Sequence, residues 1–172
     1  MTASRIPRLV TLAVLVVVMN ACASTPSRFY TLDPTAIANG SPPERTTVMI
    51  APISVPAAVD QPQMVVQVAP NRVEMEEFNR WAAPLNDEIA RAVAGDLAIL
   101  LGTPDVTTTP LADFSPAYWV TINVQRFDSV QGEAALASAH NRALAKLSGD
   151  IAGAIRTEAG ETELVSKQRG LR

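Results

Sequence analysis

Few residues in this chain have the type and spacing needed for catalysis or metal binding. The single histidine, His140, lies within an apolar helical pattern, where a partly buried neutral ring with one hydrogen-bond partner is more common than a catalytic base. Glu74, Glu76 and Glu77 end a predicted strand, and solvated charges are the more common arrangement there than an acid/base pair. The G-x-S-x-G, H-E-x-x-H, C-x-x-C and glycine-rich phosphate-loop motifs are absent. The sequence therefore predicts no catalytic residue, no metal site and no cofactor.

The only cysteine, Cys22, follows a segment typical of exported bacterial proteins. Arg5 and Arg8 precede an apolar run over residues 9–19, which is too short to cross the hydrocarbon core as a helix. The sequence Met19-Asn20-Ala21-Cys22 resembles the lipobox of a bacterial lipoprotein. We therefore predict a signal peptide that ends before a lipidated Cys22, with an ordinary secretory signal or an uncleaved anchor as the alternatives.

Charge and composition limit the compartment and the partners. The chain has 17 Asp and Glu against 14 Lys and Arg, and cleavage would also remove Arg5 and Arg8. Such an acidic balance makes nucleic acid an unsuitable partner. A lipidated Cys22 would leave no thiol for a disulfide. Since Ala23 and not Asp follows Cys22, we expect the outer membrane of a Gram-negative envelope, with the domain facing the periplasm.

The chain divides into four segments: a signal peptide (1–21), a lipidated tether (22–45), a folded domain (46–155) and a polar tail (156–172). The tether is rich in Ser, Thr, Pro and Gly, which favours an extended linker. Its aromatic pair Phe29 and Tyr30 is predicted to dock on the domain, because exposed aromatic rings are costly in a free linker. The polar tail has no apolar pattern that would lead one of its faces to be buried.

The first half of the domain is predicted to contain three strands and a helix. Residues 48–55 are apolar on both alternating faces, as in a strand covered on both sides. Residues 64–68 and 72–75 form a hairpin around Pro70 and Asn71. Pro84 and Gly102 bracket a helix, whose apolar stripe is Leu85, Ile89, Val93, Leu97, Leu100 and Leu101.

Four polar residues of this helix are predicted to lie in two different environments. Asp87, Glu88 and Arg91 are predicted to point away from the core. Asp96 falls within the apolar stripe, where a position at a wet edge is a more common explanation than a functional buried carboxylate.

The second half is predicted to contain one strand and one helix. Between Tyr118 and Arg126, residues 118, 120, 122 and 124 alternate with the more polar set of Trp119, Thr121, Asn123 and Gln125, as in a strand with one buried side. The last helix carries an apolar stripe at Leu136, Ala143, Leu144, Leu147, Ile151 and Ile155. These elements predict a single α/β (α+β) domain, in which amphipathic helices pack on a mixed β-sheet.

The strongest candidate for a binding surface is the cluster Phe78, Arg80 and Trp81, which leads directly into the first helix. Trp and Arg are enriched at the energetically dominant positions of protein interfaces. The alternative, equally weighted, is that both aromatic rings cap the core and that Arg80 pairs with an acid.

Several segments together resemble the ABC-type transport auxiliary lipoproteins, also called PqiC- or YmbA-like proteins. Besides Cys22, the matching segments are RFYTL (28–32), IAPISVP (50–56), DQPQMV (60–65), NRV (71–73), NRWAAPL (79–85), RALAKLS (142–148) and IA (151–152). Similar proteins carry a pair of strands before the last helix, whereas this chain passes almost directly from Gly132 into that helix. A missing strand pair would expose the edge of a neighbouring strand.

The resemblance implies a non-enzymatic auxiliary lipoprotein of an ABC/MCE-type lipid transport system. The implied partners are a periplasmic MCE-domain protein and the ABC permease and ATPase, with the membrane reached through Cys22 and with possible assembly into a homo-oligomer. Two other classes remain as alternatives. One is a lipoprotein regulator of a cell-wall synthase, and the other is a hydrolase that uses His140 or the acids at 74–77.

Overall fold

The computed structural model describes residues 25–110, 114–127, 129–130 and 133–169, so Cys22 lies outside the described residues. Within these ranges the chain forms seven strands and two helices. They are β1 (Arg28–Tyr30), β2 (Val48–Ile50), β3 (Gln63–Ala69), β4 (Arg72–Trp81), α1 (Leu85–Leu101), β5 (Val106–Thr107), β6 (Tyr118–Val120), β7 (Ser129–Val130) and α2 (Glu133–Arg169). This mixed α+β arrangement confirms the predicted fold class. Neither described helix is long and apolar enough to cross a membrane.

The strands belong to two sheets. The first sheet has the order β1-β4-β3-β7 and the second has the order β5-β2-β6. In the first sheet β3 and β4 form the predicted antiparallel hairpin, while β1 pairs with β4 and β7 pairs with β3 in parallel. The second sheet is parallel throughout. Its central strand, β2, is buried at all three residues, which confirms the prediction of a strand covered on both faces for Val48–Ile50. The regular strand ends there, and Pro52 and Ser54 of the predicted range are exposed.

The alternation predicted after Tyr118 is confirmed. Residues 118, 120, 122 and 124 are partly buried and pack against the core, whereas Trp119, Thr121, Asn123 and Gln125 are exposed. The regular strand ends at Val120, but a bridge between Ser54 and Asn123 continues the pairing.

Helix α1 forms as the sequence predicts. Leu85, Ile89, Val93, Leu97 and Leu101 are each at most 2% exposed and lie in the main core cluster. The helix ends at Gly102, whose φ of 67° lies in the left-handed region that glycine adopts without steric cost. The predicted apolar stripe therefore faces the core.

Helix α2 packs against α1, with a stripe that differs from the predicted one. Leu144 and Ile155 are buried as predicted, but Ala143 is exposed, and Ser148 and Ala152 are buried in its place. The side chain of Leu136 lies outside the described set. The helix begins at Glu133, close after β7, and continues to Arg169. The segment assigned from sequence to a polar tail is thus helical as far as it is described.

Residues 31–45, which we call the strap, cross α1 and are fixed to it. The Leu32 side chain is fully buried, and its backbone N–H donates to Glu88 Oε2 at 2.8 Å. The backbone N–H groups of Thr35 and Ala36 both donate to Asp96 Oδ1, each at 2.8 Å. Further along, the backbone N–H of Glu44 donates to the Leu101 carbonyl at 2.8 Å.

The strap corrects three expectations. Residues 31–45 are not a free linker, because they are bonded to the domain along their length. Glu88 does not point to solvent and Asp96 is not at a wet edge, since they are 3% and 0% exposed. A buried carboxylate is tolerated where donors surround it, and these two accept backbone N–H groups together with Arg91 and Ser148 donors. The expected docking of Tyr30 is confirmed, whereas Phe29 stays 66% exposed.

Gly95 tests the contact between the strap and α1. A Cβ added there would lie 2.3 Å from Pro34 Cγ, whereas one added at Gly149 of α2 would meet no heavy atom within 4 Å. Gly95→Ala should lower the free energy of unfolding by about 1–3 kcal/mol through overpacking. Gly149→Ala should raise it by about 0.5–1 kcal/mol through helix propensity. Urea denaturation measures both values, and stabilisation by both variants would contradict the close packing of the strap.

Candidate functional site

Trp81, the tryptophan of the predicted binding cluster, lies in the core. Its side chain is 5% exposed and meets the ring of Phe127 edge to face, with centroids 6.1 Å apart. The core-packing alternative therefore describes Trp81, and its position gives no support to a role in partner binding.

His140 belongs to the same aromatic cluster. Its ring is partly buried and stacks on Phe127, with a centroid distance of 4.0 Å and an interplanar angle of 7°. It also meets Trp81 edge to face, at 6.3 Å. The prediction of a partly buried ring in an apolar environment is confirmed, and the ring packs against Trp81 and Phe127.

The acids near the end of the hairpin are not assembled into a reactive site. Glu74 pairs with Arg72 at 2.9 Å, and their side chains are 56% and 69% exposed. Glu76 accepts a hydrogen bond from Asn79 Nδ2 at 3.3 Å, and Glu77 is exposed. Glu74 and Glu77 are thus the solvated charges that the sequence predicts, whereas Glu76 is partly buried. Among the described residues no group of three or more His, Cys, Asp or Glu side chains is placed to hold a metal ion.

Two surface cavities lie near the start of α1. One, of about 370 Å³, is lined by Pro62, Pro84 and their neighbours beside Trp81. The other, of about 440 Å³, lies between the end of β2 and the first turns of α1, with Arg91 at its wall. Neither is lined by His140 or by the acids at 74–77.

Phe78 and Arg80 lie closer to the surface than Trp81. Phe78 is 39% exposed and Arg80 is partly buried. Arg80 Nε donates to the backbone carbonyl of Glu77 at 3.3 Å, which is a backbone contact in place of the predicted pairing with a carboxylate. Partner binding stays a prediction for these two residues.

The cross-strand register places Arg80 on one face of the first sheet together with apolar residues. Arg80 pairs with Phe29 of β1 and with Gln63 of β3, and directly paired residues point to the same side of a sheet. The register shifts between Gln63 and Met64, and the extra residues lie on β4, so the alternation is followed along β3. Every second residue of β3 shares that side, so the partners of Val65 and Gln67 belong to it as well. The residues of this β1–β4 face are Phe29, Val73, Met75 and Arg80.

The apolar members of the β1–β4 face are largely uncovered. Phe29 is 66% exposed, Met75 is 64% exposed and Val73 is 57% exposed. Exposed apolar patches of this kind mark surfaces for proteins or membranes. Sequence analysis missed this group because its members come from two strands, and only the pairing of β1 with β4 brings Phe29 to the same face.

Another exposed aromatic residue, Trp119, lies on β6 at one edge of the second sheet. Its side chain is 64% exposed, although Met49, the residue paired with it on β2, is only 3% exposed. The sequence pattern placed Trp119 on the solvent face but gave it no role. An uncovered tryptophan on a sheet edge is a stronger candidate for protein contact than the buried Trp81.

Comparison with known proteins gives a family and a fold. Residues 30–140 match the model of a family described as the ABC-type transport auxiliary lipoprotein component. The fold is similar to the crystal structure of a Xanthomonas campestris protein of the DUF330 family, with a TM-score of 0.65, 16% identity and coverage of 80% of this chain and 99% of that chain.

A second crystal structure, of an uncharacterised protein, has a TM-score of 0.60 and 16% identity, covering 76% of this chain and 99% of that chain. No curated protein sequence matches the chain. At this identity the structural likenesses show the fold alone, whereas the family model covers more than half of the chain.

Proposed function

Because the chain belongs to the family of ABC-type transport auxiliary lipoprotein components, we propose that it is an outer-membrane-anchored docking protein of an ABC/MCE-type lipid transport system. Lipid on Cys22 supplies the anchor, and two or three acyl chains on one cysteine bind a bilayer far more firmly than a single chain. The proposed protein partners are a periplasmic MCE-domain protein and, through it, the permease and ATPase.

The exposure of Trp119 is the observation that best supports docking of a protein. Burying a tryptophan that is 64% exposed removes a large apolar area from water. Within the described residues β6 is an edge strand of the second sheet. Trp119 is therefore held on a regular strand, next to backbone groups that an added strand could pair with. A partner that covers this edge would gain both backbone hydrogen bonds and an aromatic anchor.

Affinity purification tests this function. The full-length lipoprotein is isolated from detergent-solubilised envelopes, and mass spectrometry identifies the co-purified proteins and the acyl mass on Cys22. We expect an acylated chain that recovers an MCE-domain protein. Trp119→Ala should weaken that partner's affinity by about thirtyfold, since a hot-spot residue contributes about 2 kcal/mol or more.

Ile37→Ala is the matched control, because Ile37 is 85% exposed and lies on the strap instead of β6. Phe78→Ala and Arg80→Ala in the same assay test the contact predicted from sequence. Normal recovery by Trp119→Ala would exclude Trp119 as the docking residue. Recovery of a cell-wall synthase in place of transport components would overturn the proposed system and favour the regulator.

A further inference from the structure

The distance from the anchor to the domain is short. Only residues 23–27 separate Cys22 from Arg28, the first residue of β1. Arg28 therefore lies within about 20 Å of Cys22, since an extended chain covers at most ~3.3–3.6 Å per residue. The strap follows β1 directly and is bonded to α1. The side of the domain that carries β1 must therefore stay close to the bilayer that holds Cys22.

The β3–β4 hairpin extends toward the same side. β1 runs parallel to β4, with Arg28 paired with Asn79. The end of β1 where the linker enters therefore points in the same direction as the start of β4 at Arg72. The strand from Asn79 back to Arg72 reaches about 23 Å at ~3.3 Å per residue. The hairpin can thus reach about as far toward the membrane as the linker itself.

The composition of the β1–β4 face fits a phospholipid surface. Phe29, Met75 and Val73 are apolar and exposed, and Arg80 is the charged residue among them. Glu74 and Glu76 pair with the even-numbered residues of β3, which places both acids on the opposite face of the sheet. Aromatic rings are favoured at the level of the lipid headgroups, and an arginine can direct its guanidinium to phosphate while its stem contacts apolar groups.

We propose that the β1–β4 face rests on the phospholipid surface that anchors Cys22, with Phe29 and Met75 in the interfacial layer and Arg80 at the phosphates. This inference rests on the proposed lipidation of Cys22, although not on the identity of any protein partner. It fixes the orientation of the domain and leaves the edge strand β6 for a protein.

The single cysteine of the chain provides a clean test. Lipid blocks Cys22 in the mature protein, so a cysteine introduced elsewhere is the only residue that a thiol-reactive fluorophore labels. The lipidated full-length variants Met75→Cys and Glu74→Cys are reconstituted into vesicles of phosphatidylethanolamine and phosphatidylglycerol that contain a bilayer-confined quencher. Positions 75 and 74 are adjacent on β4 but lie on opposite faces of the sheet, so they form a matched pair.

We expect several-fold stronger quenching at position 75 than at position 74, and the same strong quenching for Phe29→Cys. Equal quenching at 74 and 75, or none at 75, in a chain whose acyl mass is confirmed would overturn the inference and leave the lipidation intact. Protection of position 75 only on addition of the MCE-domain protein would also overturn it, because the face would then bind protein. A chain without acyl groups would overturn both the inference and the proposed anchor.

Discussion

Replacing Trp81 with alanine should lower the free energy of unfolding by about 3–5 kcal/mol, the range found for large aromatic residues in protein cores. Trp81 is 5% exposed and its ring meets both Phe127 and His140. Removing the indole leaves a cavity that this aromatic cluster can fill only in part. Urea denaturation measures the loss, and the slope of the transition shows whether unfolding stays two-state.

Two variants make the Trp81 experiment specific. Trp81→Phe keeps most of the aromatic packing and should cost less than half as much as Trp81→Ala. Phe78→Ala, three residues earlier and 39% exposed, should lower the free energy of unfolding by only about 1–2 kcal/mol, because less of its ring is buried. A Trp81→Ala protein as stable as the wild type would show that Trp81 is a surface residue and would restore the interface interpretation.

Asp96→Ala is expected to lower the free energy of unfolding by about 3 kcal/mol. The carboxylate is 0% exposed and accepts the backbone N–H groups of Thr35 and Ala36, with Ser148 Oγ at 3.4 Å. Hydrogen bonds to a charged group contribute about 1.5–3 kcal/mol, and unpaired buried donors add a further cost. Hydrogen exchange should show much faster exchange at Thr35 and Ala36 in the variant, because the strap detaches from α1.

Asp150→Ala serves as the control for Asp96→Ala. Asp150 also lies on a helix and pairs with Lys146 at 3.2 Å, but the two side chains are 70% and 79% exposed. Exposed pairs of this kind contribute less than about 1 kcal/mol. If the two variants unfold at the same urea concentration, Asp96 does not hold the strap.

The sequence could predict the elements whose signals are local. The hairpin has β-branched residues on both sides of Pro70 and Asn71, and α1 has Pro84 before it and Gly102 after it. Each of these signals lies within the element or next to it, so no knowledge of distant segments is needed. Trp119 was placed on the correct face of its strand for the same reason.

The long-range features were not predictable in this way. Glu88 and Asp96 look like surface acids in a helical pattern, because the N–H groups that they accept belong to Leu32, Thr35 and Ala36, about 60 residues earlier. The amino-acid sequence does not show which backbone N–H group will donate to a given carboxylate. The β1–β4 face was missed for the same reason, since it depends on a parallel pairing between segments separated by about 50 residues.

The Phe78, Arg80 and Trp81 cluster shows the limit of reasoning from residue type. Three residues that are frequent in interfaces lie within four positions, yet the strand alternates and a bulge intervenes, so they occupy different environments. Trp81 faces the core and Arg80 lies on the opposite side of the sheet. Composition identified the segment, but only the register separated its packing residue from its surface residue.

The bonds between the strap and α2 impose an order on the completion of the fold. The Asp33 N–H donates to Asn141 Oδ1, and Arg156 donates to the carbonyl of Pro42. Chains are made N-terminus first, so residues 31–45 are present before the helix that completes their contacts. Until α2 is in place, the bonds to α1 alone hold the strap. A chain that stops before α2 would therefore keep the bonds between the strap and α1 and lose those of Asp33 and Pro42 with α2.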